Sequence, residues 1–176
     1  MKLLIVVDVQ NDFVDGSLGS SEAQAIIPNV INKVKDYEFN KYPILYTRDT
    51  HNHLYSLTQE GKRLPVSHCV YGTEGWKIAP GVYTPNRSYI MDKTSFGSDV
   101  IPEVVSNIML DCEEAIDEIE IIGLCTDICV ISNALILKAF FPEMLISCDS
   151  TCCAGVTPAK HAAALDVMRS CQIDVM

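Results

Sequence analysis

The sequence predicts an α/β fold with three layers, in which a mostly parallel central sheet is covered by helices on both faces. Short β-rich apolar segments alternate along the chain with longer segments whose apolar residues recur at helical spacing. The first segment, Lys2 to Val7, is apolar at nearly every position, which is typical of a strand buried on both faces. Strands that alternate with helices pair in parallel, because each helix returns the chain to the same end of the sheet.

The first half of the chain supplies three further features. Apolar residues at helical spacing predict a helix from about Ala23 to Asp36, and Pro43 to Thr47 predicts the second strand. The segment from Asp49 to Pro85 is long, irregular and interrupted by glycines and prolines. A loop of that length in a compact domain usually carries function.

The second half continues the alternation. Further strands are predicted at Ser88 to Met91, Glu118 to Ile122, Met144 to Ser147 and residues 173 to 175. Further helices are predicted from Val100 towards Glu114, from Val130 to Phe140 and from Pro158 to Ser170. No repeat or linker divides the sequence, so we expect residues 1–176 to form one domain.

Composition argues against several classes of protein. The net charge of −10 argues against nucleic acid or an anionic membrane as the main partner, because both reward clustered Lys and Arg. No run approaches the ~20 apolar residues that span a bilayer, and no signal peptide is evident. Eight cysteines without an export signal favour a cytoplasmic protein over a disulfide scaffold. We expect a small-molecule ligand, and the sequence leaves open whether the protein is a homo-oligomer.

Four residues that carry chemistry follow the ends of predicted strands. Asp8, Asp49, Lys93 and Cys129 each lie just past such an end, although they are far apart in the sequence. Ligands of parallel sheets bind beyond the carboxyl ends of the strands. We therefore expect the four side chains to line one edge of the sheet.

Cys129 is the candidate nucleophile. It lies where a buried strand runs into the helix expected near Val130, and a helix N-terminus favours a thiolate. Asp8 is the candidate base, because desolvation would raise its pKa towards that of a thiol. Lys93 would hold the Asp8 charge and stabilise the thiolate. Backbone N–H groups of Cys129 and Cys125 are the candidate oxyanion donors, which gives acyl-transfer chemistry on a thiol.

Each of these residues has a plainer interpretation by itself. A lone cysteine at a helix start is more often a packing residue, and an aspartate after a strand is often a cap or turn residue. Only the expected convergence favours catalysis. Cys125 is the rival thiol, and Cys129 is preferred because the helix is expected to begin there.

A second constellation, Asp49-Thr50-His51 followed by Glu60 and His68, predicts a metal site. Two imidazoles and a carboxylate suit a divalent metal, with Zn²⁺ first and Fe²⁺ or Mn²⁺ as alternatives. Glu60 is a further candidate ligand, directly or through water. His53 is either solvent-facing or an alternative ligand, since histidines in polar loops are more often solvated.

Taken together, the motifs resemble the isochorismatase-like cysteine hydrolases and, within them, the nicotinamidases. The segments that carry the resemblance are Leu4 to Phe13 with Gly16 to Leu18, Thr47 to His51, His68 to Gly75, Lys93 to Ser98 and Gly123 to Val130. As a set they are specific for the superfamily, and they cover essentially the whole chain.

The resemblance implies a Rossmann-like fold with Asp8, Lys93 and Cys129 as the catalytic set. It also implies a cis peptide between Leu124 and Cys125 that aims both oxyanion donors. In nicotinamidases a metal holds the pyridine nitrogen while the amide carbon faces the thiolate. The expected activity is hydrolysis of nicotinamide to nicotinate and ammonia through a thioester, in NAD salvage.

The resemblance also assigns the binding residues. Asp49, His51 and His68 would be the metal ligands, and Glu60 resembles the fourth ligand of a bacterial subgroup. Phe13 and Leu64 would form apolar walls on the ring.

Departures from the family pattern bear on the substrate rather than on the reaction type. Many relatives have an aromatic residue shortly before the last metal histidine, where this chain has residues 64–66, Leu-Pro-Val. The common Asp-x-His-Pro is replaced by a continuation through Asn52 and His53. The alternatives are a hydrolase of another small amide or of an isochorismate-type vinyl ether, and a catalytically silent binding or scaffold protein. The metal ligands separate the first alternative from a nicotinamidase, and the retained catalytic set argues against the second.

Overall fold

A computed structural model describes residues 1–176. The six strands are β1 (Lys2–Val7), β2 (Ile44–Asp49), β3 (Ser88–Lys93), β4 (Glu118–Leu124), β5 (Leu145–Ala154) and β6 (Asp174–Val175). The six α-helices are α1 (Asn11–Val14), α2 (Ser21–Phe39), α3 (Gln59–Arg63), α4 (Ile101–Asp111), α5 (Ile131–Phe140) and α6 (Pro158–Ser170). A 3₁₀ turn at Tyr55–Leu57 and a π-helical turn at Thr126–Val130 complete the elements.

The strands form one sheet in the order β3-β2-β1-β4-β5-β6, and every neighbouring pair is parallel. The order reverses at β1, between its neighbours β2 and β4. In doubly wound sheets such a switch point is where the strand ends leave a crevice for a ligand. The predicted α/β class with a parallel sheet is confirmed.

Several element boundaries differ from the prediction. Strand β2 continues to Asp49, because its last residues pair in register with β3. Strand β5 continues to Ala154 rather than Ser147, through polar residues that carry no strand signal in the sequence. The extension follows an irregularity in the β4–β5 register, after which Gly123 pairs with Cys153. Helix α4 contains Pro102 in its first turn, where a proline is tolerated, and ends at Asp111.

The core lies along the central strands. Residues 3–7 of β1 are at most 1% exposed, as expected for a strand covered on both faces. Helix α2 packs against β5, and its N-terminus is capped by the Ser20 hydroxyl, which accepts a hydrogen bond from the Ala23 N–H (3.0 Å). No helix combines the length and the apolar character needed to cross a bilayer.

One charged cluster is enclosed between α2 and the sheet. Glu120 of β4 is 2% exposed, lies 2.6 Å from Lys33 Nζ and accepts a hydrogen bond from the Tyr37 hydroxyl (2.5 Å). Lys33 also pairs with Asp149 at 2.9 Å. Burial lowers the pKa of Lys33, but hydrogen bonds to Glu120 and Asp149 outweigh it and the pKa is raised. The buried carboxylate is thus compensated by a lysine and a hydroxyl.

Candidate active site and metal cluster

The site is built where the carboxyl ends of four strands meet. Asp49 and Lys93 are the last residues of β2 and β3 and are directly paired in the register. Asp8 follows β1, and its N–H donates to the Thr47 carbonyl at 3.2 Å. Its φ of +49° lies in the left-handed region, which a non-glycine residue enters at a cost and which recurs at functional sites. Cys129 arrives from the helical turn that follows β4.

Lys93 contacts the other two side chains expected to be catalytic, those of Asp8 and Cys129. Its Nζ lies 2.6 Å from Asp8 Oδ2 and 3.6 Å from Cys129 Sγ, and it donates to the Ser95 carbonyl at 2.9 Å. The exposed fractions are 0% for Asp8, 3% for Lys93 and 5% for Cys129. Asp8 Oδ1 accepts a hydrogen bond from the Thr47 hydroxyl (2.6 Å), and Oδ2 is held by the Lys93 ammonium. A buried carboxylate that shares an ammonium with a thiol can act as a general base.

Burial dominates the electrostatics of these groups. It raises the pKa of Asp8, although Lys93 opposes the shift. It also raises the pKa of Cys129 well above that of a free thiol, and the Asp8 charge adds to the effect. Burial lowers the pKa of Lys93, but Asp8 and Cys129 outweigh it and the pKa is raised. Burial thus opposes ionisation of the Cys129 thiol, whereas the Lys93 ammonium beside it lowers the pKa of that thiol.

The turn that carries Cys129 begins earlier than predicted. Cys125 is its N-cap, and the Ile128 and Val130 N–H groups both donate to the Cys125 carbonyl (3.0 and 3.1 Å). The turn is π-helical from Thr126 and passes into α5 at Ile131. Cys129 is thus the fourth residue of the helical segment rather than its start.

A glycine fixes where the chain leaves the sheet for this turn. Gly123 has a φ of +125°, and a Cβ there would lie 2.1 Å from the Val7 carbonyl oxygen. Only glycine permits this approach of β4 to β1. The peptide between Leu124 and Cys125 is cis, as the resemblance implied.

Cys125 differs from Cys129 in its surroundings. It lines a cavity that opens beside this turn and is described below. Its N–H donates to no acceptor in the structure. Burial raises the pKa of the Cys125 thiol to about 12. The Cys125 thiol has no hydrogen-bond partner, whereas the Cys129 thiol lies 3.6 Å from Lys93 Nζ. The geometry therefore suits the Cys125 backbone to an oxyanion and Cys129 to the nucleophile.

Asp49, His51 and His68 form a compact cluster of potential metal ligands. One ligand atom from each lies within 4.8 Å of the others, and all three residues are buried. Asp49 Oδ2 lies 2.9 Å from His51 Nε2 and 3.4 Å from His68 Nε2. Burial raises the pKa of Asp49, but its close contacts with the two imidazoles and the Lys93 charge outweigh that effect and lower the pKa. The carboxylate is thus held in the ionised form that binds a metal.

The cluster fits a divalent cation. His51 Nε2 is buried and has no hydrogen bond of acceptable geometry. His68 Nδ1 lies 2.8 Å from the Val66 carbonyl, so it carries the proton and leaves the Nε2 lone pair directed at the cluster. Two imidazole nitrogens and a carboxylate oxygen are the donor set of open zinc and iron sites.

Glu60 borders the cluster, and His53 does not. Glu60 Oε1 lies 3.6 Å from His51 Nε2 and 3.7 Å from His68 Nε2. The Tyr55 ring packs against both imidazoles, with ring centroids 4.6 and 5.0 Å away. His53 is exposed and lies outside the group. His53 is therefore solvent-facing rather than a ligand. Glu60 is the additional carboxylate that lies near the two imidazoles.

A cavity of about 580 Å³ opens onto both the metal cluster and the nucleophile turn. Phe13 and Leu64, the two expected apolar walls, line it together with His68, Glu60 and Cys125. The Phe13 ring lies 5.4 Å from the His68 ring, centroid to centroid. A cavity of this size and apolar character is typical of small-molecule sites.

Sequence reasoning missed the role of Gln10. It is 0% exposed, its Nε2 donates to the Asp49 and Trp76 carbonyls (2.9 and 2.8 Å), and its Oε1 accepts from the Asp49 N–H (2.7 Å). The side chain thus fixes the backbone of a metal ligand on both sides. Its neighbours Asn11 and Asp12 are polar as well, so the sequence carried no local signal that this amide is buried.

Comparisons with known proteins agree with this geometry. A nicotinamidase/pyrazinamidase of Mycobacterium tuberculosis is 26% identical over 192 residues, which cover 100% of this chain and 98% of that protein. An uncharacterized isochorismatase family protein of Bacillus subtilis is 30% identical over 175 residues, which cover 93% and 92%. The crystal structure of a Pyrococcus horikoshii pyrazinamidase in complex with zinc superposes with a TM-score of 0.81 at 24% identity, covering 99% and 98%, and supports the fold. The family model for the isochorismatase domain matches residues 2–176, and this chain belongs to that family.

Proposed function

We propose that this protein is an amidohydrolase, a nicotinamidase, which converts nicotinamide and water to nicotinate and ammonia. The observation that carries the proposal is the contact of Lys93 with both Asp8 and Cys129 beside a cluster of metal ligands. The Mycobacterium tuberculosis nicotinamidase/pyrazinamidase, similar over its whole length, supports the substrate class.

The metal cluster would bind the ring. Asp49, His51 and His68 would hold a divalent metal, with Glu60 as a further ligand, and the nitrogen donors favour Zn²⁺ over harder cations. The Pyrococcus horikoshii pyrazinamidase complex with zinc agrees with that choice. When bound, the metal would supply a Lewis-acid partner for the pyridine nitrogen. Phe13 and Leu64 would enclose the ring faces.

Acylation would use the buried thiol. Asp8 accepts the Cys129 proton as sulfur attacks the amide carbon, and Lys93 offsets the negative charge that moves from one to the other. The N–H groups of Cys125 and Cys129 would bind the oxyanion of the tetrahedral intermediate. Asp8 then gives the proton to the leaving nitrogen. The C–N bond breaks, ammonia departs and a thioester remains on Cys129.

Deacylation would repeat the same roles with water. Asp8 accepts a proton from water as the water oxygen attacks the thioester carbon. The C–S bond breaks, the proton returns to Cys129, and nicotinic acid leaves and loses its proton to solvent. Lys93 stays paired with Asp8 throughout, so the ammonium presents no uncompensated positive charge to the product. In the cell, this reaction would recover nicotinamide for NAD salvage, in the cytoplasm.

The test is a turnover assay that measures ammonia and the acid product separately. We expect the metal-loaded protein to hydrolyse nicotinamide and pyrazinamide, and a Cys129→Ala variant to bind nicotinamide without turning it over. Absence of hydrolysis of both amides, with turnover of isochorismate or of an unrelated small amide instead, would overturn the assignment. Full amidase activity in the Cys129→Ala variant would overturn the nucleophile.

A further inference from the structure

Asn133 is a fully buried amide on α5. It is 0% exposed, and Ala134 and Leu137 on the same helix are equally buried. A buried amide without partners is costly, so its contacts need an explanation. None of the catalytic roles described above uses this residue.

Every polar atom of the Asn133 side chain is bonded. Its Nδ2 donates to the Cys129 carbonyl (2.8 Å) and to the Phe96 carbonyl (3.2 Å). Its Oδ1 accepts from the Ser98 N–H (3.0 Å). Two carbonyls face one end of the amide and an N–H faces the other, so the contacts themselves fix its orientation. Only an amide can donate to the first pair and accept from the third group at this position.

These bonds join the two segments that hold the catalytic lysine and cysteine. One is the backbone of Cys129 itself. The other is the segment 94–98 that follows Lys93, and Lys93 Nζ donates to the Ser95 carbonyl within it (2.9 Å). The segment packs closely on α5, because a Cβ at Gly97 would lie 2.7 Å from Ile136 Cδ1. The segment is thus held from one side by Lys93 and from the other by Asn133.

We propose that Asn133 is a positioning residue, which sets the separation of Lys93 Nζ and Cys129 Sγ by tying the Cys129 backbone to the segment 94–98 that follows Lys93. The inference deepens the proposed function, on which its kinetic part rests. The observed separation of 3.6 Å places the ammonium where it stabilises negative charge on sulfur. Without the tie, the segment 94–98 and the nucleophile turn can shift independently. The metal ligands come from β2 and the loop after it, so their arrangement does not depend on Asn133.

The test compares Asn133→Leu and Asn133→Asp with a matched control, Ser132→Ala. Ser132 lies beside Asn133 on α5. Its hydroxyl donates to the carbonyl of Ile128, in the turn that carries Cys129 (2.6 Å), but it has no hydrogen bond to the segment 94–98. Leucine approximates the volume of asparagine without its hydrogen bonds. Aspartate keeps the shape and the bond from Ser98 but loses the paired donation to Cys129 and Phe96.

Two measurements separate positioning from general support of the fold. The first is the rate of Cys129 alkylation by iodoacetamide as a function of pH, followed by peptide mass spectrometry. The second is kcat and KM for nicotinamide at full metal content. We expect both Asn133 variants to shift the alkylation profile to higher pH and to lower kcat by about tenfold to a hundredfold. KM should change less than kcat, because the candidate metal ligands do not contact Asn133. Ser132→Ala should behave like the unmodified protein.

An alkylation profile in folded Asn133 variants that matches the unmodified protein would overturn the proposal. The same shift in Ser132→Ala would do so too, because it would assign the effect to the turn alone. If neither Asn133 variant folds, as judged by circular dichroism, the role is structural and the proposal is wrong. The alkylation arm does not depend on the substrate, so failure of the unmodified protein to hydrolyse nicotinamide would refute the proposed function separately.

Discussion

Asp49 and Lys93 are directly paired at the ends of β2 and β3, and their Oδ1 and Nζ atoms lie 3.9 Å apart. Lys93 therefore lies between Asp49, one of the candidate metal ligands, and the carboxylate of Asp8, whose Oδ2 is 2.6 Å from Lys93 Nζ. One ammonium offsets two carboxylates that are both buried. The two halves of the site are thus coupled through a single side chain.

Replacing Lys93 by methionine should abolish catalysis without emptying the metal site. Without the ammonium, Asp8 faces the Asp49 carboxylate unscreened, and its pKa should rise until it is protonated near neutral pH. We expect kcat for nicotinamide to fall at least about 10³-fold, with metal content retained by elemental analysis. Lys62→Met, at an exposed position of α3, is the control. Retention of more than a tenth of kcat in Lys93→Met would contradict the coupling.

Activity should be lost on the acid side at a higher pH than an ordinary aspartate would cause. The working form of Asp8 is the carboxylate, and burial raises its pKa above the usual value of about 3.9. As pH falls through the raised pKa, Asp8 becomes protonated and can no longer accept the Cys129 proton. The check is the profile of kcat/KM against pH, which reports the free enzyme. An acid limb at or below pH 4 would refute the shift.

Cys129 and Cys125 should respond differently to truncation. Cys129→Ala removes the proposed nucleophile, so kcat should fall about 10⁴-fold or more. Cys125→Ala leaves the backbone N–H in place, so kcat should fall by no more than about tenfold. Mass spectrometry of the acylated protein, trapped during turnover and digested to peptides, would identify the cysteine that carries the acyl group. A large loss in Cys125→Ala together with activity in Cys129→Ala would reverse the assignment.

Removing the metal should affect binding of the ring. His68→Ala deletes a buried candidate ligand whose Nδ1 is held by the Val66 carbonyl, and we expect metal affinity to fall about tenfold to a hundredfold. His53→Ala, two residues past His51 and exposed, should leave metal content unchanged. Isothermal titration of chelator-treated protein with nicotinamide, before and after metal is restored, measures the link. Unchanged affinity in the metal-free protein would contradict the proposed role.

The free energy of unfolding should depend more on Lys33, which pairs with the buried Glu120, than on an exposed lysine of the same helix, α2. Lys33→Met leaves the Glu120 carboxylate, 2% exposed, with only the Tyr37 hydroxyl. We expect the free energy of unfolding to fall by about 3 kcal/mol. Lys35→Met, exposed on α2, should change it by less than about 0.5 kcal/mol. Urea unfolding of both variants provides the comparison, and equal effects would contradict it.

The sheet and the meeting point of its strand ends could be predicted, because apolar runs and helical spacing are local properties of the chain. The extension of β5 to Ala154 could not, since residues 149–151 are polar and fall in the break of the β4–β5 register, beyond which Cys153 and Ala154 pair with β4. The hydrogen bonds of the two buried amide side chains could not be predicted either. Nothing local to Gln10 or Asn133 reveals that their partners are the backbones of Asp49 and Cys129.

The sequence by itself determined which side chains could meet, because Asp8, Asp49 and Lys93 lie at strand ends and parallel strands end at one edge. It also determined the donor set of the metal cluster, through the identities of two histidines and an aspartate. Only the tertiary structure decided the direction in which the pKa of the thiol is shifted. Burial and the Asp8 carboxylate raise the pKa of Cys129, although a helix start alone predicts the opposite. The reason is that desolvation depends on every neighbour packed around a group, and most of those neighbours are distant in the sequence.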